Sequence, residues 1–151
     1  MKPEGPREWT PRKSPMEKFI EEEKLSMTSD PVPMNPAYEG ADPEERKWAD
    51  ESYHYKCIIK KPRKTFSVYF SMGSANQDPP KLSEVLDNLA SEASGFENNP
   101  DFESWAGEYG YDPDSRKAER IFRMIETESN KLKQFLGEEA YKKLLWEIER
   151  E

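Results

Sequence analysis

The chain has 151 residues, of which 34% are hydrophobic and 36% charged, with a formal net charge of −8 and one cysteine. So few apolar side chains cannot fill a core along the whole length, which predicts one globular domain smaller than the chain. Cys57 alone excludes an internal disulfide and a multi-cysteine zinc site, the absence of an apolar run of about 18 residues excludes a membrane-spanning helix, and Met1-Lys-Pro-Glu-Gly-Pro lacks the apolar stretch of a signal peptide. These readings place the protein in a reducing cytoplasm.

Residues 1–52 read as a proline-rich, largely disordered tail, because eight of the thirteen prolines fall there and aliphatic residues are few. Two short segments within it carry helical signals. Met16, Phe19 and Ile20 form an apolar stripe after Ser14-Pro15, and Asp42-Pro43 starts a turn or two that carries Trp48. From residue 53 to 151 the pattern is that of an α+β domain. Tyr53–Lys60 and Thr65–Met72 are rich in β-branched and aromatic residues and flank Lys61-Pro-Arg-Lys64, which predicts a β-hairpin with Pro62 in the turn. Phe66, Val68 and Phe70 alternate with Thr65, Ser67 and Tyr69, as in a sheet with one covered face.

Four helices are expected to follow. Leu82, Val85, Leu86, Leu89 and Ala93 make a single-face stripe that runs to Gly95. Asn99-Pro100 and Asp112-Pro113 each pair a capping side chain with a proline of fixed φ, and they bracket a short helix with Phe102, Trp105, Ala106 and Tyr109 on one face and Gly110 as its stop. A long helix from Pro113 to Gly137 carries Ala118, Ile121, Phe122, Ile125, Leu132, Phe135 and Leu136, and Tyr141, Leu144, Leu145 and Ile148 continue the period beyond that glycine. The expected core is Ile58, Phe66, Val68, Leu86, Leu89, Trp105, Ile121, Phe122, Ile125, Leu132 and Leu145.

Within this run, Lys60-Lys-Pro-Arg-Lys-Thr-Phe, Phe102-Glu-Ser-Trp-Ala-Gly-Glu-Tyr-Gly-Tyr-Asp and Asp114-Ser-Arg-Lys-Ala-Glu give the stretch from Tyr55 to Leu136 a resemblance to a group of small uncharacterised phage and prophage proteins. The resemblance implies a phage origin and a bacterial host cytoplasm. It implies no activity and no set of binding residues, and the first 50 residues lie outside it.

Charge is unevenly distributed. Residues 82–115 hold nine acidic residues and no Lys or Arg: Glu84, Asp87, Glu92, Glu97, Asp101, Glu103, Glu108, Asp112 and Asp114. Asp101, Asp112 and Asp114 are accounted for by helix starts, which leaves Glu84, Asp87, Glu92, Glu97, Glu103 and Glu108 as a candidate acidic face that attracts cationic partner surfaces. The hairpin turn is the opposite pole, with Lys60, Lys61, Arg63 and Lys64. Each pole also has a plain reading, as a solvated helix face or a basic loop that discourages aggregation.

Catalytic residue types are sparse. His54 and Cys57 point to opposite faces of a strand, no Asp or Glu pair stands out as a general acid and base, and there is no glycine-rich phosphate loop or metal-ligand spacing. The reading is therefore a non-enzymatic, cofactor-free phage accessory protein that binds and modulates a host protein, for example an anti-CRISPR or other anti-defence inhibitor whose acidic face meets a nucleic-acid-binding component. A nucleic-acid-binding protein that uses Lys60, Lys61, Arg63 and Lys64 is the alternative, opposed by the net charge. An enzyme with an unfamiliar site comes third.

Overall fold

A computed structural model describes residues 14–73 and 78–148. Its elements in chain order are helix α1 (Pro15–Glu22), strand β1 (Ser26–Val32), a 3-10 turn (Pro36–Tyr38) and helix α2 (Pro43–Asp50). The hairpin strands β2 (Tyr53–Lys61) and β3 (Lys64–Met72) follow, then helices α3 (Leu82–Asn98), α4 (Phe102–Glu108), α5 (Arg116–Leu136) and α6 (Glu138–Lys143), the last running into a π-helical turn (Leu144–Ile148). The class is α+β, as expected. The details differ from a hairpin on four helices, because the sheet has three antiparallel strands in the order β1-β2-β3 and two further helices precede the hairpin.

The ordered domain therefore begins well before residue 53. Both helical segments expected in the tail form, each with a reciprocal cap: the Ser14 hydroxyl accepts from the Glu17 amide while Glu17 accepts from the Ser14 amide, and Asp42 and Glu45 repeat the arrangement. Phe19 and Leu25 enter the main core, so α1 is part of the domain. Strand β1 was not expected, and it pairs with β2 from Ser26↔Lys60 to Val32↔His54. Residues 1–13, the rest of the expected tail, lie outside the described residues.

One face of the sheet carries Tyr55, Cys57, Ile59, Phe66 and Val68 into a core shared with α1, α3, the second half of α5, α6 and the π turn. The parity of β2 puts Ile58, expected in the core, on the other face, where it is only half-buried. The hairpin turns at Pro62-Arg63, with Arg63 at φ 72°, the positive value that a type II turn requires after proline. A second, aromatic core joins Phe96 of α3, Trp105 and Ala106 of α4, and Ala118, Phe122 and Ile125 of α5. Trp105 stacks on Tyr111 with ring centroids 5.2 Å apart and packs on Phe122 at 5.5 Å.

The helix starts in that region are shifted from the expected positions. Asp101 caps α4 by accepting from the Ser104 amide at 2.9 Å, and Ser115 caps α5 by accepting from the Ala118 amide at 3.1 Å. Asp112-Pro113 instead builds a turn, with the Asp112 side chain accepting from the Asp114 amide and its carbonyl from the Ser115 amide. Helix α3 does not stop at Gly95 but runs through it to Asn98, and the glycine serves close packing instead, since a side chain there would run into the Tyr109 hydroxyl. The stops at Gly110 (φ 75°) and Gly137 (φ 91°) form as expected.

Candidate functional site

The six carboxylates expected to form one acidic face fall into three environments. Glu84 and Asp87 on α3 and Glu103 and Glu108 on α4 are exposed. Glu84 also accepts from the Lys81 amide at 2.8 Å, so it takes part in starting α3. Glu97 turns toward the C-terminal helix, accepting from the Tyr141 hydroxyl at 2.7 Å with Lys133 at 3.9 Å. Burial, reinforced by that bond to Glu97, pushes the Tyr141 hydroxyl well above the ordinary phenol range.

Glu92 is half-buried. It lines a cleft of about 610 Å³ bounded by β3 (Val68–Ser71), α3 (Val85, Asn88, Leu89) and α5 (Arg120, Ile121, Met124, Glu128), closed at one end by residues 35–38 and Glu45. Burial pushes the Glu92 carboxyl up to about 7, and the charge of Glu128 adds to the rise; Glu128 is itself pushed up to about 7 by burial, with Lys131 acting in the other direction. A sequence reading finds no such carboxylate pair, because the two residues stand on different helices and only the packing of α3 on α5 brings them together. Ile121, expected in the core, is half-buried for the same reason: it faces the cleft.

The other charges of the cleft are already paired. Arg120 donates from Nη1 to the Ala37 carbonyl at 2.8 Å and from Nη2 to Glu45 at 3.3 Å, and Lys117 adds a second cation beside Glu45 at 3.7 Å. Among the described residues Glu92 and Glu128 have no such partner. A pair of carboxyls held near pH 7 in a half-apolar cleft can bind a cationic group or keep a proton at neutral pH.

At the closed end of the cleft, Ser71 links three elements. Asn35 Nδ2 donates to Ser71 Oγ at 2.9 Å, Ser71 Oγ lies 2.7 Å from His54 Nδ1, and His54 Nε2 donates to the Ala49 carbonyl at 2.7 Å. In the neutral ring that last bond fixes the proton on Nε2, so Ser71 donates to Nδ1. His54 is 4% exposed and joins α2 to β3. Cys57 lies on the opposite, core face of β2 with its thiol pushed up by burial, as a small hydrophobe would be placed.

The four hairpin cations are also divided. Lys61 pairs with Glu23 at 3.4 Å and donates to the Leu136 carbonyl, and Lys64 donates to the Gln134 carbonyl at 2.9 Å, so both fasten the turn to the end of α5. Lys60 and Arg63 remain exposed without such bonds among the described residues. No helix among the described residues is long and apolar enough to cross a membrane, and none of their His, Cys, Asp and Glu side chains group in threes around a metal position. No model of a known protein family, no curated protein and no solved structure matches the chain.

Proposed function

We propose that this chain is an accessory binding protein of phage origin that engages a basic surface of a host protein through Glu84, Asp87, Glu103 and Glu108. The observation that carries the reading is their exposure within a 34-residue stretch, 82–115, that has no Lys or Arg. Among the described residues none of the four is drawn into an ion pair, so their field reaches solvent and favours a cationic partner. A nucleic-acid-binding component of a bacterial defence system has a surface of that kind. The protein acts there as an inhibitor by occupying the site with carboxylates in place of phosphates, without a cofactor and without catalysis.

The nucleic-acid-binding alternative loses support from the hairpin, where Lys61 and Lys64 are committed to the end of α5. The test is capture of partners from bacterial lysate, after nuclease treatment, by the wild-type protein and by a variant with Asp87→Asn, Glu103→Gln and Glu108→Gln. Glu84 is left in place because it contributes to the start of α3. The expected result is a co-purifying protein that is lost with the variant and released by raised salt. Retention that depends on nucleic acid, and that disappears with Lys60→Gln and Arg63→Gln instead, would overturn the reading in favour of the alternative.

A further inference from the structure

Strand β3 is an edge. In the order β1-β2-β3 it pairs only with β2 among the described residues, so alternate N–H and C=O groups along Lys64–Met72 point away from the sheet without a strand to receive them. Natural edge strands are usually short, covered, or broken by a bulge or proline; β3 is nine residues long, pairs with β2 without a bulge and contains no proline, and among the described residues it is flanked by α5 at Lys64 and by Asn35 at Ser71.

Helix α5 runs beside that strand, touching it where Phe66 meets Phe135 and where Lys64 donates to the Gln134 carbonyl, and two clefts lie between the elements. The cleft that holds Glu92 and Glu128 takes Val68–Ser71 as one side; a second cleft of about 340 Å³ takes the preceding residues, Lys64–Ser67, with Lys131, Gln134 and Phe135 of the same helix opposite them. The two clefts thus follow one another along β3 and α5, and together they make a grooved face about 26 Å long at ~3.3 Å per strand residue.

We propose that this groove binds an extended peptide segment of a partner protein as a fourth strand of the sheet, with a lysine or arginine side chain of that segment set against Glu92 and Glu128. The backbone of the segment satisfies the outward groups of β3, and its side chains alternate between solvent and the groove, as in other cases of strand addition. Charge selects the basic residue. Arg120 and Glu45 neutralise each other at that end of the groove and Lys64 is committed to the Gln134 carbonyl, whereas Glu92 and Glu128 form no ion pair among the described residues, with Lys131 of the neighbouring cleft the cation whose charge reaches Glu128. The site is independent of the acidic-surface reading above, since none of Glu84, Asp87, Glu103 and Glu108 lines it.

The experiment uses the full chain and a pool of peptides of about eight residues, with one fixed central arginine among random β-branched and aromatic positions. Binding is read by fluorescence anisotropy and by amide chemical shifts and hydrogen exchange along β3. Retained peptides are expected to shift and protect amides between Ser67 and Ser71. Their affinity is expected to fall ~10-fold or more when the arginine is replaced by citrulline or when the protein carries Glu92→Gln with Glu128→Gln. N-methylation of alternate peptide nitrogens, on the edge that faces β3, is expected to abolish binding while methylation of the other edge is tolerated. The double variant keeps its fold, which the same spectra verify. Indifference to citrulline, indifference to which edge is methylated, failure of the pool to bind, or β3 pairing with β3 of a second copy, seen as a concentration-dependent dimer, would each overturn the proposal.

Discussion

At the residue scale the most consequential side chains are two that work against the fold at neutral pH. Glu92 and Glu128 ionise in the folded chain near pH 7 and in the unfolded chain near 4.5, so each binds its proton more tightly when folded. Their contribution, ~3 kcal/mol each on the usual conversion, is complete below pH 4.5 and is lost as pH rises through 7. Thermal unfolding is therefore expected at a higher temperature at pH 5.5 than at pH 8, and Glu92→Gln is expected to raise stability at pH 8 by ~1–3 kcal/mol; a midpoint unchanged between the two pH values would show the pair to be solvated. Phe122 is the opposite case. It is 1% exposed and touches Phe96, Phe102 and Trp105, so Phe122→Ala is expected to cost ~3–5 kcal/mol in a denaturant titration.

Among the elements, those with a strong local signal were legible. The capping boxes at Ser14 and Asp42, the hairpin with Pro62 in its turn and the aromatic stripe of α4 can all be read from neighbouring residues. Strand β1 could not be read in this way: Ser26-Met-Thr-Ser-Asp-Pro-Val is polar and contains a proline, and it is a strand because β2 offers it a complete register. Proline is accepted there because β1 is itself an edge. The Glu92–Glu128 pair was hidden for a related reason, since helical periodicity shows which face a residue takes but not which helix will lie opposite. Tyr109, expected on the buried stripe of α4, is 51% exposed, with only the hydroxyl end of its ring against Gly95. Because α1 and β1 are structural, removing residues 1–32 is expected to abolish cooperative unfolding, and Phe19→Ala alone should cost ~3–5 kcal/mol. Circular dichroism melts of both variants check this, and a sharp transition in the truncated chain would show that β2 and β3 suffice.

For the whole molecule, the separation of charge predicts how association responds to salt: partner capture through the exposed carboxylates should weaken steeply between about 0.05 and 0.5 M salt, whereas a strand seated on β3 should be much less sensitive, its backbone bonds being unscreened. Competition between the lysate partner and the peptide pool, followed over that range, separates the two surfaces. The fastening of the hairpin has a consequence for how the chain is made. Lys61 and Lys64 receive their acceptors from the last turn of α5, with sequence separations of 75 and 70 residues, and Lys143 meets Glu22 across 121. During synthesis at ~5–20 residues per second, the hairpin leaves the ribosome several seconds before the helix end that anchors it, and for that interval its turn is unfastened. Stalled nascent chains ending near residue 110 should be cleaved by protease within β2 and β3, while chains carrying residue 148 clear of the exit tunnel resist, so that translation past α5 is the step that locks the hairpin in place.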